Sequence, residues 1–185
     1  ISDILDISKI EAGTVELIIT RVDVARLCRE VISTCSHKKH DEAVVLRFDE
    51  SSPQIMVDAD KNRIMQVLSN FITNALKFTA KGSVTLSYRL EDDSQLRFCV
   101  TDTGKGIPAE QQHEIFSRFV KLDSFSQGAG LGLSICQSLV ERMGGQIGVN
   151  SREGEGSCFW FTHPFTSATQ SASTLVTEND MLATL

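Results

Sequence analysis

Apolar positions recur along the chain in two rhythms, one of about 3.6 residues and one of two, and each predicts a different element. ISDILDISKIEAG, residues 1–13, sets Ile1, Leu5, Ile7 or Ser8 and Ala12 near helical spacing and stops at Gly13, as the tail of a helix would. Asp23 can cap a second helix to about Lys39, with Val24, Leu27, Cys28, Val31 and Cys35 on its apolar side. Short strands are predicted over 44–48 and 55–57, around a Ser51-Ser52-Pro53 turn. Asp60 opens a third helix whose stripe is Ile64, Val67, Leu68, Phe71, Ala75 and Phe78, and which Gly82 ends. Alternation over 83–90 and 95–102 predicts a hairpin across Glu91-Asp92-Asp93-Ser94. A glycine-rich stretch follows, holding a short helix near 108–119, and a further helix runs from Leu131 to Met143 until Gly144-Gly145. Two last strands, 146–151 and 157–165, flank a turn over 154–156, and the Ser, Thr and Ala-rich remainder from Thr166 is expected to fray. There is no internal repeat.

A length of 185 residues with 41% hydrophobic and 23% charged content suits one globular domain with appendages. The formal net charge of -6 argues against a broad nucleic-acid surface or direct contact with an anionic membrane. Five cysteines, an odd number without CxxC or Cys/His zinc spacing, are expected to be free thiols in a reducing cytosol. Cys28 and Cys35 lie seven apart in a helical pattern and read as small buried side chains. No apolar run reaches the roughly 18 to 20 residues of a membrane span. Ile1 stands where an initiator Met would, so the chain is expected to be a piece of a longer, cytoplasmic or membrane-anchored protein.

Three stretches carry candidate chemistry. In NFITNALKFT, residues 70–79, Asn70, Asn74 and Lys77 fall in one narrow sector, expected opposite the stripe of 67, 71, 75 and 78 and converging on one spot. An Asn carbonyl oxygen can complete a magnesium shell already filled by phosphates and water, and Lys places a compact charge on phosphate. A solvated helix face is the plainer account. DTGKGI, residues 102–107, ends a strand with a carboxylate and then two glycines that admit close backbone approach; a turn with a capping Asp would look the same. GAGLGLSI, residues 128–135, puts Gly128, Gly130 and Gly132 before a helix, which suits amides presented to phosphate. Neither GxGxxG nor a P-loop is present.

In their order NFITNALKFT, DTGKGI, EIFSRF (114–119) and GAGLGLSI resemble the N, first glycine, F and second glycine boxes of sensor histidine kinases, members of the GHKL superfamily. The resemblance covers about residues 14–164, and 2–13 also look like the end of the second dimerisation helix. It implies an α/β two-layer sandwich, with a mixed, mainly antiparallel sheet, helices on one face and a mobile ATP lid. It divides the chain into 1–13, helix end and linker; 14–165, catalytic domain; and 166–185, tail. It further implies ATP and Mg2+ as cofactors, with Asn74 on the metal and Lys77 on phosphate. Asn70 stands where hydrolysing relatives carry a water-activating Glu, which favours transfer over hydrolysis. Asp102 would bind the adenine amino group, Gly104, Gly106 and Ile107 line its pocket, and Arg118 and Lys121 reach the phosphates. Gly128, Gly130, Leu131 and Gly132 would meet the phosphate tail, with Ala129 in place of the family's usual Thr. Phe116 and Phe119 are read as lid anchors, with core aromatics as the plainer account.

The implied reaction is transfer of the γ-phosphoryl group to a histidine, with the kinase's dimerisation/phosphoacceptor domain and a response regulator as partners. His37, His40, His113 and His163 lack the acceptor context H-E-x-x-x-P, so the acceptor is expected before residue 1. A GHKL-type ATPase switch and a degenerate partner-binding module are the alternatives.

Overall fold

The computed structural model describes residues 5, 8–10, 12–38, 41–117 and 132–166. In chain order the elements are β1 (Thr20–Asp23), α1 (Val24–Lys38), β2 (Val44–Phe48), β3 (Met56–Ala59), α2 (Lys61–Phe78), β4 (Gly82–Asp92), β5 (Gln95–Asp102), α3 (Gly132–Arg142), β6 (Ile147–Arg152) and β7 (Gly156–Pro164). Within the described part of the helix expected near 108–119, up to residue 117, there is a 3-10 turn, Ala109–Gln111, followed by turns and a bend. Helical residues 8–10 precede β1; Gly13 N–H bonds Ile10 O and Thr14 N–H bonds Lys9 O, with Gly13 at φ +66°. That is a Schellman stop, which glycine enters without Cβ strain.

Five strands form one sheet in the order β2-β4-β5-β7-β6, and a separate ribbon pairs β1 with β3. Only β2–β4 is parallel, so the sheet is mixed and mainly antiparallel as expected. The hairpin closes more tightly than the sequence predicts: Asp92 pairs Gln95, leaving Asp93-Ser94 as the turn. Asp92 caps that turn by accepting from Ser94 N–H and Oγ–H, at 2.7 Å each.

The helices cover one sheet face, with α2 between α1 and α3. Asp60 is the N-cap of α2: its Oδ1 accepts from Arg63 N–H at 3.1 Å while Oδ2 accepts from Ile18 N–H at 2.9 Å. One buried carboxylate thus starts the helix and fixes the incoming chain. The buried side of α2 is wider than the predicted stripe, because Ile72 is also fully buried. A helix flanked on both sides must bury more than one narrow face. Beneath it Phe98 stacks on Phe161 at 4.8 Å between centroids, and Phe71 meets Phe159 at 5.5 Å and Phe161 at 6.0 Å. Cys28 and Cys35 are buried, as their spacing suggests.

His163 is buried near the end of β7, its Nδ1 donating to Pro164 O at 2.9 Å. Burial holds its pKa below the ordinary 6.5. The folded state therefore binds that proton less readily than the unfolded chain, so stability is full above 6.5 and falls as the pH drops toward the folded value. Melting temperature measured across this window should decline on acidification, and His163→Gln should flatten that decline; an unchanged slope would remove His163 as its source.

Candidate functional site

The end of α2, the end of β5 and the turn joining β6 to β7 meet around a cleft of about 210 Å³. Asn74, Ala75 and Phe78 come to it from α2, Asp102 from β5, and Ser157 and Phe159 from β7. Asn74 and Asp102 thus face one space, although 28 positions separate them in the sequence. Sheet pairing explains the rest: Asp102 lies opposite Ser157, so whatever approaches the carboxylate also meets the start of β7.

Asp102 is 5% exposed, and its Oδ1 accepts from Gly104 N–H at 2.8 Å. Burial raises its pKa above the usual carboxylate value, against the lowering effect of N–H groups from Gly104 and Ser157. A carboxylate held in this way is incompletely compensated and is suited to a further donor.

The glycine loop is pressed between two walls. A Cβ at Gly104 would overlap Phe78 O, and it would lie 2.8 Å from Thr79 Oγ1 and 2.9 Å from Asp102 Oδ1. Thr79 Oγ1 is buried without a hydrogen-bond partner among the described residues. Gly106 has φ +71°, and a Cβ there would overlap Arg152 O. Both positions therefore require glycine, Gly106 for its backbone conformation and each for the approach of another backbone. Ile107 N–H donates to Ser151 Oγ at 2.8 Å, and Ser151 Oγ–H donates to Gly156 O at 2.9 Å. Since the Ser151 proton is thereby used, Ser157 is the donor in the 2.7 Å bond between the two hydroxyls. Gln112 Nε2 bridges Ile107 O and Ser151 O, at 2.8 and 2.9 Å. The cleft rim is hydrogen-bonded into place, a preformed surface for a flat ligand.

The three polar residues of α2 do not converge on one spot. Asn74 lines the cleft. Lys77 lines an adjoining recess with Phe78, Lys81, Thr103, Gly104 and Lys105, and Asn70 donates from Nδ2 to Cys136 Sγ on α3 at 3.4 Å. Nor do they oppose the apolar stripe: at about 100° per residue, positions 70 and 77 lie roughly a quarter-turn from 71 and 78. The cleft wall accordingly mixes Asn74 with Ala75 and Phe78 from the same helix. Gly132 is the first residue of α3 and faces Asn70, with a Cβ there 3.5 Å from Asn70 Oδ1. Ile107 and Gly106 line the cleft as expected. Arg118, Lys121, Gly128, Gly130 and Leu131, with Phe119 and Ala129, lie outside the described residues, as do Lys39 and His40 and the tail from 167. Phe116 packs partly buried against the core.

Sequence reasoning did not select Lys105, Gln111, Glu153, Ser157 or Phe159, all of which line the cleft. Ser157 and Phe159 have a signal in retrospect, since pairing the predicted strand 157–165 with 95–102 puts them beside Asp102. Lys105 Nζ lies 4.9 Å from the Phe78 ring centroid, which places a cation on the wall shared by cleft and recess.

Residues 59–167 match the family described as "Histidine kinase-, DNA gyrase B-, and HSP90-like ATPase". The chain belongs to this family. Within it, the catalytic domain of the histidine kinase ThkA superposes with a TM-score of 0.71 at 33% identity, over 81% of this chain and 97% of that one. The full-length ShkA crystallised with AMPPNP gives 0.82 at 38% identity, over 89% of this chain and 35% of that one. The sensor protein GacS of Pseudomonas syringae pv. syringae is 38% identical over 88% of this chain, and a match in Dictyostelium discoideum, hybrid signal transduction histidine kinase B, is 38% identical over 89%. The chain spans 19% and 9% of the lengths of those two relatives. It is thus a catalytic domain of histidine-kinase type, with the two-layer fold expected of one. Among the described residues no helix is long and apolar enough to cross a membrane.

Proposed function

We propose that this domain binds Mg-ATP and, in the intact protein, delivers its γ-phosphoryl group to a histidine of a dimerisation/phosphoacceptor domain, from which a response-regulator aspartate takes it. The observation that carries this reading is the single cleft shared by Asn74 and Asp102, roofed by backbone that only glycine permits. Adenine enters flat against Gly104, Gly106 and Ile107, and its amino group donates to Asp102. Lys77 and Lys105 lie on the adjoining recess, where the phosphate tail leaves the cleft. Support for the nucleotide comes from ShkA, crystallised with AMPPNP, and for the regulator from ThkA, crystallised with the response regulator TrrA.

A magnesium ion fits this donor set. Among the described residues there is no group of three or more His, Cys, Asp or Glu able to cage a metal, and Mg2+ characteristically takes few protein oxygens beside phosphates and water. Asn74 would hold it, and the ion when bound neutralises charge on the phosphates. The chain's own contribution is positioning: Asp102 fixes the base, the glycine backbone excludes water from its faces, and the lysines steady the phosphates. Asn70 engages Cys136, and its amide is too weakly basic to activate water, which favours transfer over hydrolysis. The acceptor lies elsewhere than on the described histidines: His163 is buried, and His37 and His113 are exposed away from the cleft lining. The parent protein is placed in the cytoplasm on this reading, where ATP and the regulator are found.

Titrating ATP by calorimetry with and without magnesium tests the site. Asn74→Ala should remove most of the magnesium dependence, lowering Mg-ATP affinity by roughly tenfold, about 1.4 kcal/mol. An Asn74→Ala protein that matches the parent in both titrations would refute the assignment.

A further inference from the structure

The sheet face turned away from the helices carries a cluster that the nucleotide site does not use. On β5 and β7, Cys99 lies opposite Trp160 and Thr101 opposite Cys158. All four project to the uncovered side, since the alternate residues Phe98, Val100, Phe159 and Phe161 are buried in the core. Cys99 and Cys158 are therefore diagonal neighbours on adjacent strands, each only partly buried. Diagonal placement on one face puts the two sulfur atoms within each other's electrostatic reach, with Thr101 directly opposite Cys158. Arg89 and Arg97 stand directly opposite one another on β4 and β5 and add positive charge to the same face. The Arg97 guanidinium is fixed there, 4.0 Å from the Trp160 ring centroid and paired with Glu91.

We infer that Cys99 and Cys158 form a peroxide-oxidisable dithiol, with Cys158 the attacking sulfur and Cys99 the resolving one. A reactive cysteine requires partial exposure and a stabilised thiolate. Cys158 has both: the neighbouring Cys99 thiol pulls its pKa down, against burial, and Thr101, Arg97 and Arg89 reinforce the fall. The Cys99 pKa is raised, first by its neighbour Cys158 and then by burial, which holds it as a thiol. The other described cysteines contrast with this pair, since Cys28, Cys35 and Cys136 are buried and burial pushes the Cys28 thiol up to about 12.

The chemistry balances with hydrogen peroxide as oxidant. The Cys158 thiolate attacks one peroxide oxygen, the S–O bond forms as O–O breaks, and hydroxide leaves; sulfur loses two electrons and peroxide gains them. The hydroxide takes the Cys99 proton to become water. The Cys99 sulfur then attacks Cys158, S–S forms, S–O breaks, and the departing hydroxide is protonated to a second water. Diagonal neighbours in a sheet sit farther apart than a relaxed disulfide prefers, so closure must shift β5 against β7. A disulfide made against such resistance is readily reduced, as a reversible switch requires.

The test is peroxide treatment of the full chain, followed by intact mass and peptide mapping. The parent should lose the mass of two hydrogen atoms and yield a Cys99–Cys158 linked peptide that dithiothreitol separates. Cys99→Ser should stop at a sulfenic acid trapped by dimedone on Cys158, and Cys158→Ser should react at least roughly tenfold more slowly. No mass change in the parent, a link between other cysteines, or Cys158→Ser oxidising at the parental rate would each overturn the inference. The parent's own peptide map decides the case even if a variant fails to fold.

Discussion

Replacing Asp102 with Asn should lower ATP affinity at least about a hundredfold, roughly 2.7 kcal/mol, while leaving the protein no less stable to heat. The two effects separate because the carboxylate does different things in the free and bound protein. In the free domain it is a buried charge whose pKa is raised by loss of water, with only the Gly104 and Ser157 amides acting against that. Ionisation at neutral pH is therefore a cost to the fold, and a neutral isostere removes it. The amide oxygen of Asn can still accept from Gly104 N–H, so the turn survives. In the proposed complex the carboxylate would supply a charge-assisted bond to an amino donor, typically about 1.5–3 kcal/mol, and the Asn NH₂ group presented instead would oppose that donor. Calorimetric titration and a thermal melt of the same preparations read both. A variant that binds ATP like the parent would eliminate Asp102 as the base-recognising residue, and one that binds less but also melts much lower would reassign it to the fold.

The distinction between what the sequence reveals and what it conceals follows from the range of the interactions involved. Local rules were sufficient for the Asp60 cap, the Gly13 and Gly144 helix stops and the alternation of β4, β5 and β7, because each depends on neighbours a few residues away. The motif order likewise selects Asn74 and Asp102, which the fold brings to one cleft. The helical wheel puts Asn70, Asn74 and Lys77 in one sector, but that sector lies beside the apolar stripe and not opposite it, and the wheel cannot show what occupies each direction. That depends on α3 packing against Asn70 through Cys136, a partner 66 residues distant. Ile72 is missed for the same reason, since its burial follows from α2 having a neighbour on each side. Ser157 and Phe159 enter the cleft only through the β5–β7 register, which alternation predicts as strands without saying which strands pair.

That register also makes the core and the site one mechanical unit, so Phe71→Ala should damage both. Phe71 is fully buried in α2 and touches Phe159 and Phe161, and Phe159 in turn lines the cleft. Truncating a fully buried phenylalanine removes its transfer free energy and leaves a cavity, for a loss of about 3–5 kcal/mol in the free energy of unfolding. Urea denaturation should register that loss as a lower midpoint at unchanged slope. The cavity opens directly beneath the ring at the cleft wall, so Phe159 gains room to retreat from a bound base and ATP affinity should fall along with stability. Ligand nonetheless stabilises whatever fraction binds it, by about 2.7 kcal/mol at a hundred times Kd, so excess Mg-ATP should recover a large part of the loss. Recovery by Mg-ATP in Phe71→Ala but not in the double variant with Asp102→Asn would tie the rescue to this cleft. A loss of less than about 1 kcal/mol would mean that the surrounding aromatic side chains collapse to fill the space, and that Phe159 does not depend on Phe71 for its place.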